Sequence, residues 1–215
     1  MNKEIVPVAS KRLMDTALTI NNRTCIYGRC YYCSKRDPLC ADQNDNLIGA
    51  VIFNLRSSFK ILRSPWMRTY KKDKKAQWEQ DNSYCRTVRG SISKKRLVEM
   101  IDIAIFDFFI QNGDRHHYEI MGDKLLLLDN GKGLGNPHKH HVDILAPLYQ
   151  CCMLRKKTWK KLLTLSGQKL SSYLKQMPDI NNFLAKDHLE AIDNRLSLIY
   201  AAVEYCKTEN KMIFI

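Results

Sequence analysis

The stretch that decides the fold is a densely polar segment, N-G-D-R-H-H-Y-E, at residues 112–119. It follows residues 95–111, where apolar side chains recur every three or four positions and predict a helix with one buried face. After it, residues 124–128 predict a short apolar strand, which leads into the turn sequence L-D-N-G-K-G at residues 128–133. The order is therefore a helix, a polar loop with an aspartate, a strand, and a second aspartate beside glycines.

This order presents two carboxylates, Asp114 and Asp129, as the catalytic lobe of a kinase presents its working pair. An aspartate in the loop accepts or orients the proton of the attacking hydroxyl, and one after the strand holds the metal ion that bridges the phosphates. Because phosphoryl transfer depends on positioning and charge neutralisation, both groups are needed at a fixed separation. Either aspartate alone is a common turn residue. The ordered pair favours the catalytic interpretation.

Longer motifs resemble one family of secretory-pathway kinases, which includes the Golgi casein kinase and the glycosaminoglycan xylosylkinase. They are D-R-H-H-Y-E at 114–119, L-D-N-G-K-G at 128–133, I-L-A-P-L-Y-Q-C-C at 144–152, N-R-T-C-I-Y-G-R-C-Y-Y-C at 22–33 and S-P-W-M-R-T-Y at 64–70. The resemblance runs from about Thr24 to Cys206. It implies a mainly α fold with a few short strands, a disulfide-stapled, protein-kinase-like carboxy-terminal lobe. Residues 56–215 would form that lobe, and residues 1–55 a remnant of the lobe junction with a cysteine knot and a hinge strand.

The resemblance also implies roles for single residues. Asp114 resembles the catalytic base, and Asp129 is similar to the metal-binding aspartate. Glu119, five positions after Asp114, stands where ordinary kinases carry Asn, and it resembles part of the nucleotide–metal site. A carboxylate there adds negative charge and demands a bound divalent cation, Mn²⁺ or Mg²⁺, beside the ATP. The hinge strand whose backbone would hold the adenine is Ile52, Phe53, Asn54 and Leu55.

The chain has eight cysteines, four of which fall within residues 25–40. Such a cluster is a zinc site or a disulfide knot, but only Cys30 and Cys33 have the CxxC spacing of a zinc ligand pair. A glycosylation sequon at Asn22 adds to the preference for an oxidising compartment. The family resemblance implies that this compartment is the Golgi lumen or the exterior of the cell. The family resemblance implies four disulfides. They are Cys25–Cys40, Cys30–Cys33, Cys85–Cys151 and Cys152–Cys206.

The net charge of +13 favours anionic partners. Much of it lies in residues 56–75, which are either a solvated basic loop or a contact surface for an anionic partner, with Trp66, Tyr70 and Trp78 as anchors. The histidines at 116–117 and 138–141 lack the spacing of a metal-hydrolase motif, and the second group predicts a surface loop. No apolar run approaches the 18 residues of a membrane span.

The sequence offers no counterpart of the family's amino-terminal lobe. No glycine-rich loop precedes residue 24, no strand offers the phosphate-pairing lysine, and the first 24 residues lack a signal-peptide core. We therefore expect a partial or truncated chain whose upper nucleotide face is open to water, with little turnover by itself.

Several motifs bear on the acceptor. S-P-W-M-R-T-Y at 64–70 and G-N-P at 135–137 look more like the xylosylkinase branch, whereas G-K-G at 131–133 and K-K-A-Q-W at 74–78 look equally like the protein kinases. ATP-dependent phosphorylation of xylose in the glycosaminoglycan linker is favoured. A secreted-protein serine kinase remains open, as does a pseudokinase-like lobe that binds a related kinase or an acidic glycan. A zinc-stabilised nucleic-acid binder is a weaker third interpretation, and no nucleic-acid partner is expected.

Periodicity predicts the remaining elements. Residues 10–20 suggest a short helix, 47–55 an apolar strand, and 157–176 a helix broken at Gly167. The last helix is expected to begin at Asp187, with Glu190 completing a capping box. The periodicity of this helix predicts one buried stripe, made of Leu189, Ile192, Leu196, Ile199 and Val203.

Overall fold

The computed structural model describes residues 17–26, 38–44, 46 and 59–215. The chain divides into two compact units, Met1–Arg56 and Ser57–Ile215. The predicted strand over residues 47–55 lies outside the described residues, and so do most of the residues of the predicted first helix. That residues 1–55 are a remnant of a lobe junction stays a prediction.

The described part of the first unit is a three-stranded antiparallel sheet. Its strands are β1 Ala17–Ile20, β2 Arg23–Ile26 and β3 Leu39–Cys40, in that order. The helix predicted over residues 10–20 is therefore wrong where it can be compared, at Ala17–Ile20. The reason lies in the next two residues, because Asn21 and Asn22 both adopt positive φ and form the tight turn that folds β1 back onto β2.

The second unit is mainly helical, as the sequence predicts. Its helices are α1 Gln77–Gln80, α2 Cys85–Ser91, α3 Lys94–Ile110, α4 Ala146–Cys151, α5 Lys156–Thr164, α6 Lys169–Lys175, α7 Pro178–Asn181 and α8 Lys186–Thr208, with a 3₁₀ helix at Val142–Leu145. Its strands are β4 Lys60–Arg63, β5 His117–Met121, β6 Lys124–Leu126, β7 Met153–Leu154 and β8 Ile213–Phe214. Strands β4, β5 and β6 form an antiparallel sheet, and β7 pairs with β8 in parallel. Among the described helices, none has the length and apolar character needed to cross a membrane.

Helix α3 is the centre of this unit and confirms the helix predicted over residues 95–111. Ser93 caps its start by accepting a hydrogen bond from the Arg96 amide at 3.3 Å, and it ends where Gln111 turns into the left-handed region. Leu97, Ile101 and Phe108 are buried against the 3₁₀ helix, α4 and α8. The packing of α3 thereby fixes where the polar loop after it begins.

The later helices follow the predicted pattern with one exception. Residues 157–176 are split into α5 and α6 by Gly167, which has φ 68°. Helix α8 begins at Lys186, and the N-cap residue is Ala185, whose side chain makes no capping hydrogen bond. The predicted capping box that starts at Asp187 is therefore wrong. Asp187 instead lies in the first turn and pairs with His138 on the surface. The stripe predicted to be buried is buried: Leu189, Ile192, Leu196, Ile199 and Val203.

Disulfides join helices that are distant in sequence. Cys85–Cys151 links α2 to α4, and Cys152–Cys206 links the end of α4 to α8. The adjacent cysteines serve different partners because Cys152 adopts a φ of 49°, which ends α4 and turns the chain. Cys25–Cys40 bridges β2 and β3, so a zinc site using these two thiolates is excluded. Three of the four implied disulfides are confirmed, and Cys30–Cys33 lies outside the described residues.

Two of the three aromatic residues predicted to anchor a partner at the basic segment are not on the surface. Trp66 and Trp78 are buried in the core, where Trp66 donates to the Gln150 side chain at 2.8 Å and Trp78 donates to the Met67 carbonyl at 2.9 Å. Their prediction as surface anchors is wrong, because each indole finds both apolar cover and a hydrogen-bond acceptor inside the fold. Tyr70 alone of the three remains on the surface, with 72% of its area exposed.

Candidate active site

One buried side chain, that of Asn112, connects the backbones of Asp114 and Asp129, the two aspartates predicted to act in catalysis. Its Oδ1 accepts a hydrogen bond from the Asp114 amide at 3.2 Å, and its Nδ2 donates to the Asp129 carbonyl at 3.4 Å. Because Asn112 follows directly on α3, the helix positions both aspartate segments at once. In the sequence, Asn112 is only the first residue of the polar motif, and no local pattern predicts this bridge.

Arg115 reinforces the same connection from the other side of Asp114. Its Nε donates to Asp107 Oδ2 at 3.0 Å and its Nη2 to Asp107 Oδ1 at 2.7 Å, with side-chain exposures of 8% and 3% for the pair. The guanidinium also donates to the Leu128 carbonyl and, at 2.6 Å, to Asn130 Oδ1. Burial raises the pKa of Asp107, and the guanidinium opposes that rise. Arg115 therefore ties α3 to the turn that carries Asp129.

Glu119 is held in the middle of the small sheet. It lies on β5, opposite Ile61 of β4 and Leu126 of β6. The Oε1 atom of Glu119 is 2.9 Å from Nε2 of the His117 ring, and His117 does not contact the second carboxylate oxygen, Oε2. Strand pairing on both sides makes the backbone at Glu119 rigid, so the direction of its carboxylate is set by the sheet.

These elements bring the three predicted acidic site residues to one small recess. Asp114, Glu119 and Asp129 line it together with Arg115, His116, His117 and Leu128, and its enclosed volume is about 10 Å³. Pockets that enclose a drug-sized ligand measure roughly 300–1,000 Å³. The described residues therefore line only part of a site for a nucleotide. The predicted hinge residues Ile52, Phe53, Asn54 and Leu55 lie outside the described residues.

The donor atoms in the recess suit a hard divalent cation. Mg²⁺ is held by one or two carboxylates together with substrate phosphates, and Mn²⁺ accepts the same oxygen ligands. Asp129 and Glu119 supply two such carboxylates on one recess. Within the described ranges, no set of three or more His, Cys, Asp or Glu side chains is arranged to hold a metal ion by itself. The residues present fit a cation whose remaining ligands come from phosphate oxygens and water.

Comparisons with known proteins place this geometry in a family. A profile described as Fam20C, Golgi casein kinase, C-terminal, Fam20, matches residues 1–213. The glycosaminoglycan xylosylkinase of Homo sapiens is 44% identical over an alignment of 219 positions, which covers 96% of this chain and 53% of that protein. The glycosaminoglycan xylosylkinase homolog of Drosophila melanogaster is 43% identical over 185 residues, 85% of this chain and 44% of that protein. The chain thus spans about half the length of these curated relatives.

More distant relatives have other described roles. The human extracellular serine/threonine protein kinase FAM20C is 37% identical over an alignment of 229 positions, which covers 98% of this chain and 39% of that protein. The human pseudokinase FAM20A is 32% identical over an alignment of 225 positions, which covers 96% of this chain and 42% of that protein. Sequence similarity over this region is therefore shared by sugar kinases, protein kinases and a pseudokinase.

Solved structures agree with the sequence comparison. The structure of hydra Fam20 with sugar superposes with a TM-score of 0.71 at 39% identity, covering 97% of this chain and 65% of that one. The crystal structure of the Golgi casein kinase with Mn/ADP bound has a TM-score of 0.67 at 28% identity, covering 92% and 52%. With its helix, polar loop and Asp-Asn-Gly turn arranged as described, the chain belongs to the Fam20 family of Golgi-casein-kinase-like proteins and represents its carboxy-terminal domain.

Proposed function

We propose that this chain is the carboxy-terminal part of an ATP-dependent phosphotransferase that phosphorylates xylose in the glycosaminoglycan linker of proteoglycans. The observation that carries the proposal is the recess lined jointly by Asp114, Glu119 and Asp129. The acceptor class is supported by the identity of about 43–44% to glycosaminoglycan xylosylkinases, which exceeds the 37% to the human FAM20C protein kinase.

Each of the three carboxylates would have its own role in phosphoryl transfer. Asp114 would accept or orient the proton of the attacking xylose hydroxyl, since it lies in the loop after α3 and faces the recess. Asp129 would hold a Mn²⁺ or Mg²⁺ ion, with Glu119 as a second oxygen donor on the same recess. The cation, when bound, neutralises phosphate charge. Asn112 and Arg115 would keep the separation of Asp114 and Asp129 constant during the reaction.

An oxidising compartment suits this function. All six cysteines in the described part of the chain are disulfide-bonded, which is typical of secreted and lumenal proteins. Asn22 of the glycosylation sequon is exposed in the turn between β1 and β2, where a glycan would extend into solvent. These features support action in the Golgi lumen or outside the cell.

A second candidate rests on the basic segment. Lys71, Lys72, Lys74 and Lys75 are all exposed. Such a surface favours an acidic partner, as expected for a secreted-protein kinase with acidic substrates or for a pseudokinase-like lobe that binds a related kinase or an acidic glycan. Asp114 and Asp129 are both present and line one recess, which favours the catalytic proposal over the non-catalytic one.

The test is phosphate transfer from labelled ATP, with Mn²⁺, by the longest product of the transcript that contains this chain. A xylose-terminated acceptor and an acidic serine peptide are compared as substrates. We expect transfer to the sugar, and a loss of at least about 100-fold in Asp129→Ala and Asp114→Asn, since each removes a group that the transferring phosphate or the attacking hydroxyl requires.

Asp123→Asn is the matched control, because Asp123 is an exposed carboxylate in the β5–β6 turn that pairs with Lys95 and does not line the recess. Undiminished transfer by Asp129→Ala rejects its metal role. Preferred transfer to the peptide replaces the sugar acceptor with a protein acceptor, and no transfer by the wild type to either acceptor favours the pseudokinase alternative.

A further inference from the structure

Tyr70 lies in the basic segment, residues 56–75, and contacts the candidate active site. No role in that site has been assigned to it so far. Its hydroxyl donates a hydrogen bond to Asp114 Oδ1. The side chain is otherwise open to solvent, with 72% of the residue exposed. A tyrosine that contacts the proposed catalytic base while most of its surface is exposed has no role in the core. The contact therefore calls for a functional explanation.

The segment that carries Tyr70 is anchored to the rest of the fold at residues 64, 66 and 67. The Ser64 amide donates to the His116 carbonyl at 2.9 Å, which extends the pairing of β4 with β5. Trp66 and Trp78 hold the chain at residues 66 and 67 by their indole hydrogen bonds. The approach of Tyr70 to Asp114 is thus built into the fold rather than made by a free loop.

Arg68 brings this segment directly against the loop of Asp114. It forms an ion pair with Asp143, and a Cβ added at Gly113 would lie 2.8 Å from Arg68 Nη1. The guanidinium consequently packs on the loop backbone beside Asp114, and any side chain at residue 113 would have to displace it. Arg68 and Tyr70 together form one wall next to the base.

The protonation state of Tyr70 suits a permanent donor. The hydrogen bond to Asp114 is the largest of the effects that raise the pKa of the Tyr70 phenol above its ordinary value, and Arg68 opposes the rise. The phenol therefore keeps its proton throughout the neutral pH range and remains a hydrogen-bond donor to the Asp114 carboxylate. Since Asp114 has two oxygens, the second stays available for the hydroxyl of an acceptor.

We infer that Tyr70 is a positioning residue for Asp114 and that its ring forms the acceptor side of the site, contacting a pyranose. This inference rests on the proposed sugar kinase function. The hydroxyl fixes the orientation of the base, so that its free oxygen points at the acceptor hydroxyl. The ring, which moves with that hydroxyl, offers an apolar face on which the C–H face of a sugar packs.

The experiment separates these two contributions by two substitutions at one position. Steady-state transfer to a xylose-terminated acceptor is measured in the longest product of the transcript. Tyr70→Phe keeps the ring and removes the hydroxyl, so kcat falls about tenfold while KM for the acceptor stays within about twofold. Tyr70→Ala removes both, so the same loss in kcat is joined by a rise of about tenfold in the acceptor KM. KM for ATP is unchanged in both variants.

Tyr173→Ala is the matched control, because Tyr173 is 55% exposed on α6 and lies outside the recess. An unchanged or higher kcat in Tyr70→Phe overturns the positioning role, and an acceptor KM unaffected by Tyr70→Ala overturns the binding role. A parallel rise in KM for ATP would indicate general damage and also contradicts the inference.

The outcome is distinguishable from that of the proposed function. Loss of transfer in Asp114→Asn together with normal Tyr70→Phe keeps the kinase and rejects the role of Tyr70. Calorimetry with the xylose-terminated acceptor tests ring binding without turnover. We expect affinity about tenfold weaker in Tyr70→Ala and near wild type in Tyr70→Phe, whereas equal affinity of the wild type and Tyr70→Ala contradicts the acceptor contact.

Discussion

Arg115, the residue next to the proposed base, stabilises the turn that carries Asp129. It pairs with the buried Asp107 of α3 through two hydrogen bonds and reaches Leu128 and Asn130 with its remaining donors. From the sequence, a carboxylate in so apolar a helix lies either at its solvent edge or in a hydrogen bond to a loop, and Asp107 takes the second course. Which loop residue would serve as partner could not be predicted, because several cations follow the helix and only the folded chain selects among them.

Replacing Arg115 by Met leaves the Asp107 carboxylate buried without its cation. We expect the free energy of unfolding to fall by about 3–5 kcal/mol, measured by urea denaturation under non-reducing conditions. Adding Asp107→Leu to this variant removes the stranded charge and is expected to recover most of the loss.

The control for this prediction is Lys186→Met, which breaks the pair of Lys186 with Glu190, whose side chains are 81% and 61% exposed. That substitution is expected to cost less than about 1 kcal/mol. Equal costs for the two single variants would show that the Arg115 pair behaves as a surface pair and would contradict the prediction.

At the scale of elements, α3 is the part of the fold that the sequence specifies most completely. Its three- and four-residue periodicity, the Ser93 cap and the following polar run all agree with the observed Lys94–Ile110. Residues 17–20 behave differently, since their apolar pattern suits a helix but the Asn21–Asn22 turn and cross-strand pairing make them a strand. A short segment has too few local contacts to outweigh its tertiary partners.

Two phenylalanines on α3 allow a matched test of its buried face. Phe108 is fully buried, whereas Phe106 is 39% exposed. Phe108→Ala is expected to lower the free energy of unfolding by about 3–5 kcal/mol, because it leaves a cavity against the neighbouring helices. Phe106→Ala removes the same atoms from a partly solvated position and is expected to cost less than half as much. Chemical denaturation measures both, and a Phe106 variant as unstable as the Phe108 variant would refute the assignment of the buried face.

At the scale of the whole molecule, disulfides constrain helices whose contacts are far apart in sequence. The Cys85–Cys151 and Cys152–Cys206 pairs have sequence separations of 66 and 54, against 15 for Cys25–Cys40. In the chain-entropy view, a longer closed loop restricts the unfolded chain more strongly. The two long-range bridges are therefore expected to contribute more to stability than the short one.

Replacing both cysteines of a pair by alanine tests this ranking. We expect each long-range pair to contribute about 4 kcal/mol and Cys25–Cys40 about 3 kcal/mol to the free energy of unfolding. Denaturant titrations of the three double variants, without reductant, give the values. The entropic explanation fails for this protein if loss of Cys25–Cys40 costs more than loss of either long-range bridge.

The sequence by itself determined the helical class of the second unit, the bounds of α3 to within a residue, the buried stripe of α8 and which acidic residues are candidates for the site. These follow from local periodicity and from motifs whose spacing is read along the chain. Only the tertiary structure decided that Trp66 and Trp78 are core residues, that Asn112 and Arg115 join the two aspartate segments, and that Tyr70 contacts Asp114. Each of those facts depends on contacts between distant parts of the chain, which no local pattern records, because burial and hydrogen-bond partners are set by the packing of the complete fold.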